Sequence, residues 1–137
     1  DWRDLPCADG SKDVITIHGG LHHLPNLPED LDRVLQEAQR VLTDTGLLAI
    51  VEPWMTPFLA LYHFVSARRL ARWAWDKIDA AATMTEREAT TYYRWLDQSE
   101  LVWERLTTYF DRERCRIAWG KIEFLGRRRA GQESPRA

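Results

Sequence analysis

The sequence predicts an α/β fold: two parallel strands joined by a helix, a helical insertion, and a closing antiparallel strand pair. Three observations predict it. A short β-branched run, Val14 to Ile17, and a second apolar run, Leu47 to Val51, flank one strongly periodic helical stretch. The middle of the chain carries helix-start signals rather than strand patterns. From Asp111 to Arg128, charged and apolar residues alternate on either side of Gly120.

Taken in order, Asp1 to Asp13 reads as a loop, because Leu5-Pro6 and Asp9-Gly10 break any regular element. Val14 to Ile17 is a strand suited to burial between helices. His18-Gly19-Gly20 ends it with two residues free to take positive φ, either to admit a ligand close to the backbone or simply to turn the chain. Leu27 to Leu42 is the clearest helix. Leu31, Val34, Leu35, Ala38, Val41 and Leu42 recur at three- and four-residue steps, with charged and amide side chains between them. Pro28 suits its first turn, Glu29 and Asp30 complement the dipole there, and Gly46 lies just past its end.

Leu47 to Val51 is the second strand, and Glu52-Pro53-Trp54 stands at its carboxyl end, where ligands lie in open α/β sheets. Thr56 caps a helix whose first turn holds Pro57 and which runs from Phe58 to roughly Asp79. Thr85-Glu-Arg-Glu88 is a capping box for a helix reaching about Leu96, and Asp97 to Glu100 repeats the pattern for one reaching Tyr109. Two antiparallel strands joined near Gly120 close the sheet, and residues 130–137 read as a disordered tail.

The composition narrows the function. With 137 residues and 45% hydrophobic content the chain holds one ordinary core. A formal net charge of −2 gives no reason to invoke nucleic acid, and the Arg-rich end reads as solvated. Phe58 to Val65 is too short an apolar run to span a bilayer. Cys7 and Cys115 form no framework, which suggests reduced thiols and a cytoplasmic setting. His18, His22 and His23 invite a metal, but no fourth ligand stands at ligand spacing, so no metal site is expected.

Four strings, in order, resemble the second half of the class I S-adenosylmethionine-dependent methyltransferase domain, in its small-molecule branch. They are Asp1-Trp-Arg-Asp-Leu-Pro-Cys-Ala-Asp-Gly-Ser-Lys-Asp-Val-Ile, Leu21-His-His-Leu, Glu37-Ala-Gln-Arg-Val-Leu and Gly46-Leu-Leu-Ala-Ile-Val-Glu-Pro. Gly120-Lys-Ile-Glu-Phe-Leu-Gly-Arg looks like the family's closing strand. The chain departs from the family at Cys7 and Lys12, where an aromatic is usual, and it lacks the family's Gly-rich first strand–turn. Because it opens inside what reads as a domain, it is expected to be a fragment of one. The resemblance implies a partial Rossmann-like methyltransferase sheet: residues 1–54 on the cofactor side, residues 55–109 as a substrate lid, and residues 110–129 closing the sheet.

The resemblance also implies S-adenosyl-L-methionine as cofactor, with Asp1 and Trp2 on the adenine side and His18 and Gly19 lining the methionine and sulfonium region. His22, Trp54, Phe58 and Tyr62 are expected to wall a pocket for a small-molecule acceptor. Glu52, His23 and His63 are the candidates for a base, which methyl transfer needs only when the acceptor must lose a proton. Glu52 beside Trp54 could be partly buried and basic. The alternative is a non-catalytic module of the same fold, used for dimerisation or scaffolding. In either case a homodimer is expected to form through an exposed sheet edge or the helical insertion. A nicotinamide dehydrogenase is a poor third, because its fingerprint is absent.

Overall fold

The computed structural model describes residues 1–66 and 89–129. Its elements are β1 (Lys12–His18), a 3-10 turn (Leu21–His23), α1 (Glu29–Val41), β2 (Leu42–Pro53), α2 (Pro57–Ser66), α3 (Ala89–Asp97), α4 (Ser99–Tyr109), β3 (Phe110–Ala118) and β4 (Lys121–Arg128). The order across the sheet is β1-β2-β4-β3. β1 runs parallel to β2, with His18 beside Val51, and β4 lies antiparallel to both β2 and β3. The expected parallel pair and closing hairpin are therefore both present.

One face of the sheet carries the core. Ile17, Leu48, Ile50, Ile122 and Phe124 point into a cluster with Leu31, Leu35 and Ala38 of α1 and Val102 and Leu106 of α4. Trp95 of α3 is fully buried in the same cluster, and its indole N–H donates to the Pro53 carbonyl at 2.9 Å. Alternation places Val14, Thr16, Arg114 and Arg116 on the opposite face, where they are exposed. Burial of β1 between two layers of helices is thus not what the described residues show. Val14 is 55% exposed, because nothing among them covers that face.

Three local expectations change. The helix expected from Leu27 starts at Glu29, so Pro28 precedes the first turn as its N-cap. Gly46 does not cap α1 in a left-handed conformation. The chain turns directly from Val41 into an extended Leu42, and Gly46 passes so close that an added Cβ would sit 2.9 Å from the Leu42 side chain. The capping box read at Asp97 is not used either: α3 runs through Asp97, and α4 is entered from Gln98 without a side-chain cap. Arg68, Arg69, Arg72, Trp73, Trp75, Lys77, the Thr85–Glu88 box and the 130–137 tail lie outside the described residues.

Candidate functional site

The carboxyl ends of β1 and β2 meet because the parallel register sets His18 beside Val51. The next residue of β2, Glu52, is 1% exposed, and its carboxylate is the hub of the site. Its Oε1 accepts the backbone N–H groups of Gly20 at 2.7 Å and Leu21 at 2.8 Å. Its Oε2 lies 2.8 Å from His22 Nδ1. A buried carboxylate is tolerable only when its lone pairs are satisfied, and here three donors converge on it. In the neutral ring this contact places the His22 proton on Nδ1 and the lone pair on Nε2. Glu52 is therefore built as a holder of the turn and of His22, rather than as the half-free base the sequence suggests.

His22 opens onto a group of rings. His23 stacks beside it with ring centroids 4.1 Å apart, and the Tyr92 ring meets it edge-on at 5.9 Å. The Tyr92 hydroxyl lies 3.2 Å from His63 Nε2, and Tyr93 and Tyr62 flank His63 at 5.8 and 6.3 Å. Burial, with Tyr93 and Tyr62 alongside, pushes the Tyr92 phenol up to about 12, and burial holds the His63 imidazole below its ordinary value. Both are uncharged at neutral pH. Three expected residues, His22, His23 and His63, are thus brought together with Tyr62. Tyr92 joins them, a residue that the sequence analysis does not single out. The one signal for it was its place in an aromatic-rich helix.

Two expected pocket residues stand elsewhere. Phe58 packs edge-on against Trp119 at 5.4 Å, on the outside of the fold. Trp54 is buried, its backbone N–H bonded to the Gly120 carbonyl, and it borders a cleft of about 530 Å³ with Trp103, Arg112, Cys115 and Ile117.

On the other side of β1 lies a cavity of about 350 Å³ lined by Trp2, Leu5, Ile15, Ile17, His18 and Val34, among others. Trp2 and His18, both expected on the cofactor side, share it. Gly19, next in the chain after His18, has φ +63 and open space where a Cβ would be, so the backbone is approachable there. At Gly20 the close approach is already made by the protein: an added Cβ would lie 1.7 Å from the Trp2 indole. Asp1 is exposed, and its carboxylate takes the Arg3 guanidinium, which also bonds the buried Asp30 at 3.0 Å. The cavity's walls are mostly apolar, with the Trp2 and His18 rings among them. Among the described residues, no group of His, Cys, Asp and Glu is arranged to hold a metal.

Residues 1–50 match the methyltransferase domain family. The match ends just before Glu52 and covers β1, the 3-10 turn, α1 and most of β2. Solved structures extend the likeness along the chain. A SAM-dependent methyltransferase from Methanosarcina mazei superposes with TM-score 0.59 at 17% identity, over 93% of this chain and 64% of that one. The fold is that of a class I methyltransferase domain.

Two further solved structures are similar. A possible exported protein from Bordetella parapertussis gives TM-score 0.62 at 13% identity, over 95% of this chain and 43% of that one. The geranyl diphosphate C-methyltransferase of Streptomyces coelicolor, solved with magnesium, geranyl diphosphate and S-adenosyl-L-homocysteine, gives 0.52 at 8% identity, over 94% and 52%. This chain spans about half the length of these proteins, between 43% and 64%. No curated protein matches it in sequence.

Proposed function

We propose that the chain carries the adenine loop, the reaction-centre strand ends and the substrate lid of an S-adenosyl-L-methionine-dependent methyltransferase acting on a small molecule. The observation that carries this is the meeting of Trp2 and His18 in one cavity at the end of β1, inside the segment that matches the methyltransferase domain family. Trp2, His18, Gly19 and Asp1 would hold the cofactor, which supplies, when bound, a methyl carbon already activated by its sulfonium. The protein's contribution is then to orient the acceptor and exclude water.

In this reading His22 is the base. Its Nε2 takes the proton of an acceptor hydroxyl or ammonium, and the Glu52 carboxylate, 2.8 Å from Nδ1, stabilises the imidazolium that results. His23 and His63 serve as walls of the acceptor pocket, with Tyr62 and the protonated Tyr92. Phe58 and Trp54 fall outside that pocket, because their side chains face Trp119 and the separate cleft. A homodimer through an exposed sheet edge or the helical insertion belongs to the same proposal, and a strictly monomeric species in sedimentation would defeat that part of it.

The test is calorimetric titration of S-adenosyl-L-homocysteine. Saturable binding, weakened by Trp2→Ala and by His18→Ala, is expected. A specific observation favours a second reading, a methyltransferase-fold module without cofactor: the Trp2 indole already fills the space over Gly20. A folded protein that takes up no ligand would decide for that module.

A further inference from the structure

The cleft of about 530 Å³ that Trp54 borders is shaped by an irregularity in β3. Arg112 lies opposite Gly126 and Arg114 opposite Leu125, so Glu113 is an extra residue, a bulge. Without it, Arg112 and Cys115, three residues apart, would project from opposite faces of the sheet. With it, Arg112, Cys115 and Ile117 share the face that carries α4, and all three line the cleft. On α4, Ser99, Glu100 and Trp103 recur at three- and four-residue steps and form the facing wall.

The bulge thus delivers a guanidinium whose charge the fold does not use. Arg112 Cζ stands 5.8 Å from the centre of the Trp103 ring, a contact that leaves its N–H fork open. The two carboxylates flanking it in sequence are committed elsewhere, Glu113 to Arg127 at 2.6 Å and Asp111 to Arg129 at 2.7 Å. Among the described residues, no carboxylate lies within ion-pair distance of Arg112. The apolar walls are firm: Trp54 is buried, and Trp103 is braced edge-on by Phe124 at 6.2 Å. Ile117 lies on the core side of the sheet and is still 48% exposed, because it opens onto this cleft.

The two ends of the cleft are unlike. α4 leads directly into β3 at Tyr109-Phe110, so its first turn returns to the Ile117 end of the strand, while Arg112 stands at the other. Four ladder steps, from Gly126 to Ile122, separate their partners, which is about 13 Å along the strand. Ser99 and Glu100 line the cleft from that first turn, and neither side chain has an ion pair or hydrogen bond among the described residues. A cation at one end, an acceptor at the other and two tryptophans between them describe a ligand. Arginine takes a planar carboxylate through two parallel N–H bonds, and indole walls favour a flat aromatic body. A wholly apolar ligand would strip water from Arg112 and Glu100 without replacing it, and an anion at both ends would meet Glu100.

We infer that the cleft between α4 and β3 binds a flat aromatic carboxylic acid, with its carboxylate on Arg112 and a hydroxyl at its far end donating to Glu100. The inference is independent of methyl transfer. The probe is 6-hydroxy-2-naphthoate, titrated calorimetrically into the chain, with its methyl ester and 2-naphthoate alongside. Saturable binding of the hydroxy acid is expected. Arg112→Gln changes an exposed side chain, so the melting temperature should hold, while the hydroxy acid should bind about tenfold or more weakly, at the level of the methyl ester. Glu100→Ala should weaken the hydroxy acid and leave 2-naphthoate as it was. S-adenosyl-L-homocysteine should not displace the probe, because the Trp2–His18 cavity shares no lining residue with this cleft. Absence of saturable binding, equal binding by the methyl ester or by Arg112→Gln, or displacement by S-adenosyl-L-homocysteine overturns the inference. Equal effects of Glu100→Ala on the two acids overturn the placement of the hydroxyl.

Discussion

Replacing Glu52 separates its role as a holder from that of a free base. In Glu52→Ala, the N–H groups of Gly20 and Leu21 and the Nδ1 of His22 lose their acceptor in a place shut off from water. Each orphaned buried donor costs about 1–3 kcal/mol, so the loss of all three contacts is expected to cost at least about 3 kcal/mol. That is a large share of the stability of a domain this size. Glu52→Gln keeps an oxygen for the two amides and turns an NH2 toward His22. It removes only the charge assistance, for which about 1–2 kcal/mol is reasonable. The amide should also force His22 to accept at Nδ1 and carry its proton on Nε2, a tautomer change visible in long-range nitrogen–proton spectra. Urea unfolding gives the energies. If Glu52→Ala lies within about 0.5 kcal/mol of wild type, or if the Gln and Ala variants are equally destabilised, the carboxylate is not the hub described here.

Three further outcomes follow from the geometry. Because burial holds the His63 imidazole below its ordinary value, the unfolded chain binds more protons below pH about 6.5, so stability should fall as pH drops through that point. His63→Phe should flatten the dependence of melting temperature on pH between about 7.5 and 5.5; an unchanged slope would place its origin elsewhere. Arg40 ties the first loop to α1 through the carbonyls of Leu5 and Cys7 and the carboxylates of Asp9 and Glu37. Arg40→Ala should cost about 1–2 kcal/mol and speed hydrogen exchange at the Leu5 and Gly10 amides while leaving β4 protected. Gly20→Ala should displace the Trp2 indole, shifting its resonance, at a cost below about 1 kcal/mol because that ring is already partly exposed. A much larger loss would mean that backbone, not Trp2, fills the space.

The elements were legible where one periodicity ruled. The α1 face of Leu31, Val34, Leu35 and Ala38 is buried as its spacing implies, and the alternation after Asp111 gives the β3–β4 hairpin. Local signals misled where tertiary packing took over a residue's task. Gly46 reads as a helix cap and is instead a close pass beside Leu42; the Asp97 box is overrun because Trp95 and Leu96 draw α3 onward into the core. The site was legible as a place more than as a set of roles. His18, Gly20 and Glu52 could be assigned to strand ends, but the bond from Glu52 to an amide 32 residues earlier exists only once His18 is registered against Val51. Tyr92 was hidden for a related reason: no spacing in the sequence links α3 to the His22 turn.

That same bond bears on which ligands the strand ends suit. Unpaired N–H groups after a strand are the usual cradle for a phosphate, and a dinucleotide cofactor depends on such groups. Here the Gly20 and Leu21 amides are spent on Glu52, and a carboxylate sits where a phosphate would have to go. The repulsion between two anions in a buried site disfavours any phosphate-bearing ligand at this point. One buried glutamate thus closes this strand end to a phosphate.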